Sequence, residues 1–135
     1  MKKISFFAFA VLALSACKDS KSDEKAVFDK VIKIHDSVMT YDEQLVKNKM
    51  QLDTLLKEAK NEESKYRIND LIGQLNKADS AMSNWMNKFD AVQKGKSHEE
   101  IMKYLTEQKK EVSVIDSLVK HAVNESAEYL QPFKK

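Results

Sequence analysis

The chain has 135 residues, 42% hydrophobic and 33% charged, with 23 Lys+Arg against 21 Asp+Glu. So even a balance gives no footprint for nucleic acid, which needs a basic surplus to displace counterions from phosphates. A single cysteine excludes an internal disulfide, and two glycines with one proline in so charged a chain favour helices.

At the N-terminus, Lys2 and Lys3 precede an apolar run from Ile4 to Leu14 that only Ser5 breaks. The run is shorter than the ~20 residues of a membrane-spanning helix, so it reads as the core of a signal peptide. Leu14-Ser15-Ala16-Cys17 follows and resembles the lipobox of bacterial lipoproteins. The resemblance implies removal of residues 1–16 and acylation of both the Cys17 thiol and the new amine. One acyl chain anchors marginally, whereas several together hold a protein at a bilayer almost permanently. Removing Lys2 and Lys3 leaves 21 basic and 21 acidic residues, so the expected membrane contact is the lipid and not a basic patch. Residues 17–23, CKDSKSD, read as the acylated cysteine and a flexible tether. Lys18-Asp19 resembles the acidic signal of surface-bound lipoproteins, but Ser20 interrupts it. The expected location is therefore the cell envelope, at the outer membrane facing the periplasm, with surface display as the alternative.

Residues 24–135 read as one domain in three strokes. Over 24–60, Val31, Val38, Leu45, Leu52 and Ala59 recur every seven residues, beside Val27, Phe28, Ile34, Tyr41, Leu55 and Leu56. Over 62–94 the series is Ile68, Leu75, Met82 and Phe89, with Leu71, Ala78, Trp85 and Val92 between. Over 98–131 it is Ile101, Gln108, Ile115, Ala122 and Tyr129, joined by Leu105, Val112, Val119 and Phe133. A seven-residue recurrence makes helices that pack side by side at shallow angles.

The punctuation fits. Ser22 is a candidate N-cap, Asn61 to Ser64 interrupts the stripe, and Gly95 suits a left-handed helix end. Ser97-His98-Glu99-Glu100 is a capping box, and Pro132 stops the last helix. Helices of about 35 residues, about 50 Å long, joined by short turns predict an all-α, antiparallel up-down-up three-helix bundle of coiled-coil type. Asp42, Asn48 and Lys49 fall on or beside the first stripe, which leaves a kink or a four-helix arrangement open. Gly73 is read as a point of close approach by a neighbouring helix.

One layer of this bundle invites a chemical reading. His35 and Met39 share a face of the first helix, and Met82 and Met86 share one of the second with Trp85 between them. Counting outward from a turn near residue 61 sets the two groups level, and a similar count from residue 96 brings Met102 and Leu105 to about the same height. Thioether and imidazole donors select Cu(I) or Ag(I). Methionine also fills irregular core gaps and packs on aromatic rings, which is the plainer reading of the same residues. His98 and His121 read as exposed, and no Ser–His–Asp, HExxH, phosphate-loop or Glu-x-x-His pattern appears, so the chain reads as non-enzymatic.

A second pattern is the recurring triplet Asp36-Ser37-Val38, Asp53-Thr54-Leu55, Asp79-Ser80-Ala81 and Asp116-Ser117-Leu118. It resembles the acceptor of an O-glycosylation system for exported proteins in some Gram-negative bacteria. The resemblance implies glycan on Ser37, Thr54, Ser80 or Ser117, although a heptad pattern also produces such triplets.

Finally, Ile34-His35-Asp36 with Val38-Met39, Ala78-Asp79 with Ala81-Met82 and Trp85-Met86, and Tyr104-Leu105 with Gln108-Lys109 form a set. Together they resemble a group of uncharacterised small helical bacterial lipoproteins, some labelled "viral A-type inclusion protein" by automated pipelines. The resemblance covers most of the mature chain and implies a helical lipoprotein, with no activity or ligand attached. The expected function is a non-enzymatic structural or docking module without a cofactor, partnered by the membrane and by another envelope protein. Met50, Met102 and Val114, at the margin of the seams, are the apolar residues expected to stay outside the core. The alternative is a soft-metal binder that holds Cu(I) with His35, Met39, Met82, Met86 and Trp85.

Overall fold

A computed structural model describes residues 16–133, with side chains from Ser20 onward. The expectations for the signal peptide and for the Cys17 side chain lie outside these described residues. The elements are α1 (Ala16–Met39), α2 (Asp42–Glu58), α3 (Glu62–Lys88) and α4 (His98–Leu130), with a 3₁₀ turn at Gln131–Phe133. No strand occurs among the described residues.

α1 and α2 together make the first stroke, α3 returns antiparallel to them, and α4 runs forward again. Contacts at the two ends set this direction. Glu24 near the start of α1 meets His98 at the start of α4, at 2.7 Å. Near the other end, Arg67 of α3 reaches Glu125 of α4 at 2.8 Å. The result is the expected all-α bundle.

The first stroke bends at Thr40-Tyr41. Thr40 Oγ1 donates to Ser37 O at 2.6 Å and the Tyr41 amide to Val38 O at 2.9 Å, so short i−3 bonds replace the helical ladder there. A β-branched hydroxyl residue that bonds its own backbone is a recognised cause of such a bend. The break lets α1 lie along α4, while α2 packs on both α3 and α4. The α1 and α3 backbones stay apart, and large side chains fill the space between them.

Side-chain caps start α3 and α4. Asn61 Oδ1 accepts from the Ser64 amide at 2.7 Å and starts α3. The Ser97 hydroxyl accepts from the Glu100 amide while the Glu100 carboxylate accepts from the Ser97 amide, which closes the expected capping box. Several expectations need correcting. α1 already runs from Ala16, so residues 18–23 are helical and not a loose tether, and Ser22 lies inside the helix. α3 stops at Lys88, six residues before the expected end, because Asp90 Oδ1 accepts from the amides of Val92 and Gln93 at 3.0 and 3.3 Å and turns the chain. Gly95 does take a left-handed conformation, φ +78°, but inside the 89–97 loop and not at the helix end. Gly73 faces solvent, and a Cβ there would meet nothing within 4 Å, so it admits no neighbour.

The predicted stripes form the core. Val31, Val38, Leu45 and Leu52 are buried, as are Ile68, Leu71, Leu75, Ala78, Met82 and Trp85, with Val112, Ile115, Val119 and Ala122 facing them. Val92 and Phe133 are exposed instead, Val92 because its helix has already ended. Asn48 and Ser126 are fully buried polar residues. Asn48 Nδ2 donates to Ser126 Oγ at 2.8 Å and to Val123 O at 3.1 Å, while Gln44 Nε2 donates to Asn48 Oδ1. This amide fastens α2 to α4 within the core.

Candidate functional site

The site is built on the α1–α3 seam just before the bend. His35 projects from α1 one turn ahead of Met39, the last residue of that helix. From α3, Met82, Trp85 and Met86 approach with i, i+3, i+4 spacing, so all three share one face. The structure brings the predicted pair together: His35 Nε2 lies 3.3 Å from Met86 Sδ. Met39, Met82 and Met86 line one pocket of about 80 Å³, with Val38, Leu45 and Val119 as its apolar wall. Asp42 and Asp79 stand at its edge.

The donors differ in exposure. Met82 is 5% exposed, whereas Met39 and Met86 are 38% and 41% exposed, so the sulfur cluster reaches from the core to the surface. His35 Nδ1 stands 3.0 Å from Asp36 Oδ1, a hydrogen-bond acceptor that orients the ring when Nδ1 carries the hydrogen. The Trp85 ring lies 5.8 Å from that of His35 and is itself buried. Below it runs an aromatic stack: Trp85 on Phe89 at 4.8 Å, then Phe28 and Tyr104, each 6.1 Å from Phe89. This stack holds Trp85 and bridges the separated backbones of α1 and α3. Its Nε1 is buried without a hydrogen-bond partner, an unusual state for an indole inside a protein.

Met102 does not join the layer. It lines a shallow depression with His98 and Thr106 on the outer face of α4. The residue opposite the α1–α3 site on the third stroke is Val119. His121 is exposed as expected; His98 is exposed too but is held by Glu24. Across the bend, Lys120 sits 5.9 Å from the Tyr41 ring centroid, and its hydrogen bond to Asp116 holds the ammonium above its ordinary pKa.

The four hydroxyls of the Asp-hydroxyl triplets are all exposed. Ser37 lies in the last turn of α1 beside the bend, while Thr54 and Ser117 donate to the carbonyls four residues back. Ser80 lies in the middle of α3. At the far end of the bundle, Met50, Gln51, Thr54, Leu55, Leu130 and Phe133 surround a groove of about 360 Å³. Met50 and Phe133 are 66% and 54% exposed there. Val114 is exposed as well, and Met102 is partly covered.

Among the described residues no helix is long and apolar enough to cross a membrane, and no group of three or more His, Cys, Asp or Glu could hold a metal ion. No protein-family profile, no curated protein and no solved structure matches the chain.

Proposed function

We propose that the chain is a lipid-anchored, non-enzymatic lipoprotein of the cell envelope whose bundle is a spacer carrying a docking surface for another envelope protein. The observation that carries this reading is Leu14-Ser15-Ala16-Cys17 followed directly by a long helical domain. Three acyl groups at Cys17 would tie the start of α1 to the outer membrane, facing the periplasm.

The geometry supports a spacer. Met50 lies 33 residues beyond Cys17, about 50 Å along the first stroke at 1.5 Å per residue. The groove around Met50 and Phe133 is therefore at the end remote from the bilayer, where it meets protein and not lipid. Exposed apolar side chains rimmed by polar ones are the usual mark of a contact surface.

Two measurements test the reading on the natively produced protein. Intact mass should show cleavage before Cys17 and three acyl chains, and Cys17→Ser should release the protein from the membrane fraction. A photo-crosslinking residue at position 50 should give one discrete adduct with an envelope protein, abolished by Phe133→Lys, while the same probe at exposed Tyr66 gives none. An unacylated Cys17 refutes the anchor, and equal labelling from positions 50 and 66 refutes the docking surface.

A further inference from the structure

We propose that the α1–α3 seam is a binding site for a soft monovalent cation, Cu(I), held by His35 Nε2 and Met86 Sδ with Met39 and Met82 as further sulfur donors. The first argument is a count of protons. A neutral imidazole has one N–H and one lone pair, yet both ring nitrogens of His35 face atoms that only accept: Asp36 Oδ1 at 3.0 Å and Met86 Sδ at 3.3 Å. If Nδ1–H donates to Asp36, the Nε2 lone pair points at a sulfur lone pair. A cation between nitrogen and sulfur turns that opposition into coordination. The Asp36 contact selects this tautomer in the way carboxylates orient ligating histidines.

The second argument is distance. A metal bonded to nitrogen at about 2.0 Å and to sulfur at about 2.3 Å separates the two donors by about 3.5 Å at a tetrahedral angle. The observed 3.3 Å therefore needs only a few tenths of an ångström of adjustment. Met39 and Met82 line the same pocket as Met86, so their thioethers extend the donor set.

The third argument is donor chemistry. Imidazole and thioethers are neutral and soft, so they favour Cu(I) over the harder divalent ions. Trp85, 3% exposed and 5.8 Å from the His35 ring, presents an aromatic wall that keeps water off one side and attracts a cation. The site does not depend on acylation of Cys17.

The test is an anaerobic titration of the natively processed protein in detergent with Cu(I), against a chromophoric Cu(I) chelator. Trp85 is the only tryptophan, so its fluorescence reports on this one site. One equivalent of Cu(I) should bind more tightly than micromolar and quench Trp85. Ag(I) should compete and Zn(II) should not. His35→Ala, or Met82→Leu with Met86→Leu, should weaken binding at least about tenfold. Met→Leu nearly conserves volume, so an unchanged circular dichroism melt shows that the fold survives. The full chain with Cys17→Ala should bind as the native protein does. Binding no tighter than micromolar, binding unmoved by the methionine pair, or binding lost with Cys17 would each overturn the proposal.

Discussion

Asn48→Ala should destabilise the bundle far more than its single polar side chain suggests. The Asn48 amide is fully buried and makes three hydrogen bonds, to Ser126 Oγ, Val123 O and Gln44 Nε2. At ~1 kcal/mol net per bond, with the cavity left by the carboxamide added, the loss is about 2–4 kcal/mol. For a domain of this size that lowers Tm by roughly 10–15 °C. The informative comparison is Asn48→Leu combined with Ser126→Ala. Asn48 and Ser126 then both become apolar and only the half-buried Gln44 amide, which can turn to solvent, loses a partner, so stability should return to within about 1 kcal/mol of native. The removed amide also fixes how α2 meets α4, and a heptad seam without a polar anchor pairs between chains as readily as within one. Urea unfolding followed by circular dichroism measures the first effect, and sedimentation at several concentrations should reveal self-association of the double variant. A cost below about 0.5 kcal/mol for Asn48→Ala, or a double variant as unstable as the single one, would refute the reasoning.

The two glycines predict opposite responses to one substitution. Gly73→Ala should raise stability by up to about 1 kcal/mol, because the site is helical, exposed and sterically open. Gly95→Ala should lower it by about 1 kcal/mol through its φ of +78°, and the two urea midpoints should move apart. Ser97→Ala should fray the start of α4, read as faster amide exchange over residues 98–101. The bonds from the Ser97 amide and hydroxyl hold the Glu100 carboxyl below its ordinary range. That contribution is present above the ordinary value of 4.5 and is lost as pH falls through the lowered one, so the Ser97 amide shift should titrate in acid. If a glycan is attached, tryptic peptides should place it first on Ser37, beside the bend, because Thr54, Ser80 and Ser117 lie within regular helix.

Periodicity was the strongest signal in the sequence, and it works because burial on one face needs nothing beyond apolar spacing. Val31 through Leu52 and Ile68 through Trp85 follow directly from it. Caps were legible for the same local reason: Asn61 and Ser97 act within four residues of themselves. Helix ends governed by competition were not. Asp90 looks like any exposed acid until its side chain takes two amides that the helix would otherwise have kept. Asn48 stands seven residues from both Tyr41 and Leu55, so spacing puts it on the stripe, but the partner that satisfies it, Ser126 at 78 residues' separation, does not follow from spacing.

The bend and the site share a physical origin. Had the first stroke been straight, α1 would have closed on α3 as α2 does, and Leu or Val pairs would have filled the seam. Instead the Thr40-Tyr41 break swings α1 onto α4, and the wider gap can be bridged only by long or flat side chains. Phe28, His35, Trp85, Met86 and Phe89 are the residues that span it. Counting from the turn at residue 61 set His35 level with Met86 because antiparallel register survives a bend, whereas the count could not foresee the gap. Their approach to 3.3 Å is thus a consequence of the break: a bundle spread at that point puts an imidazole, a thioether and an indole where a tighter seam would have put aliphatic carbon.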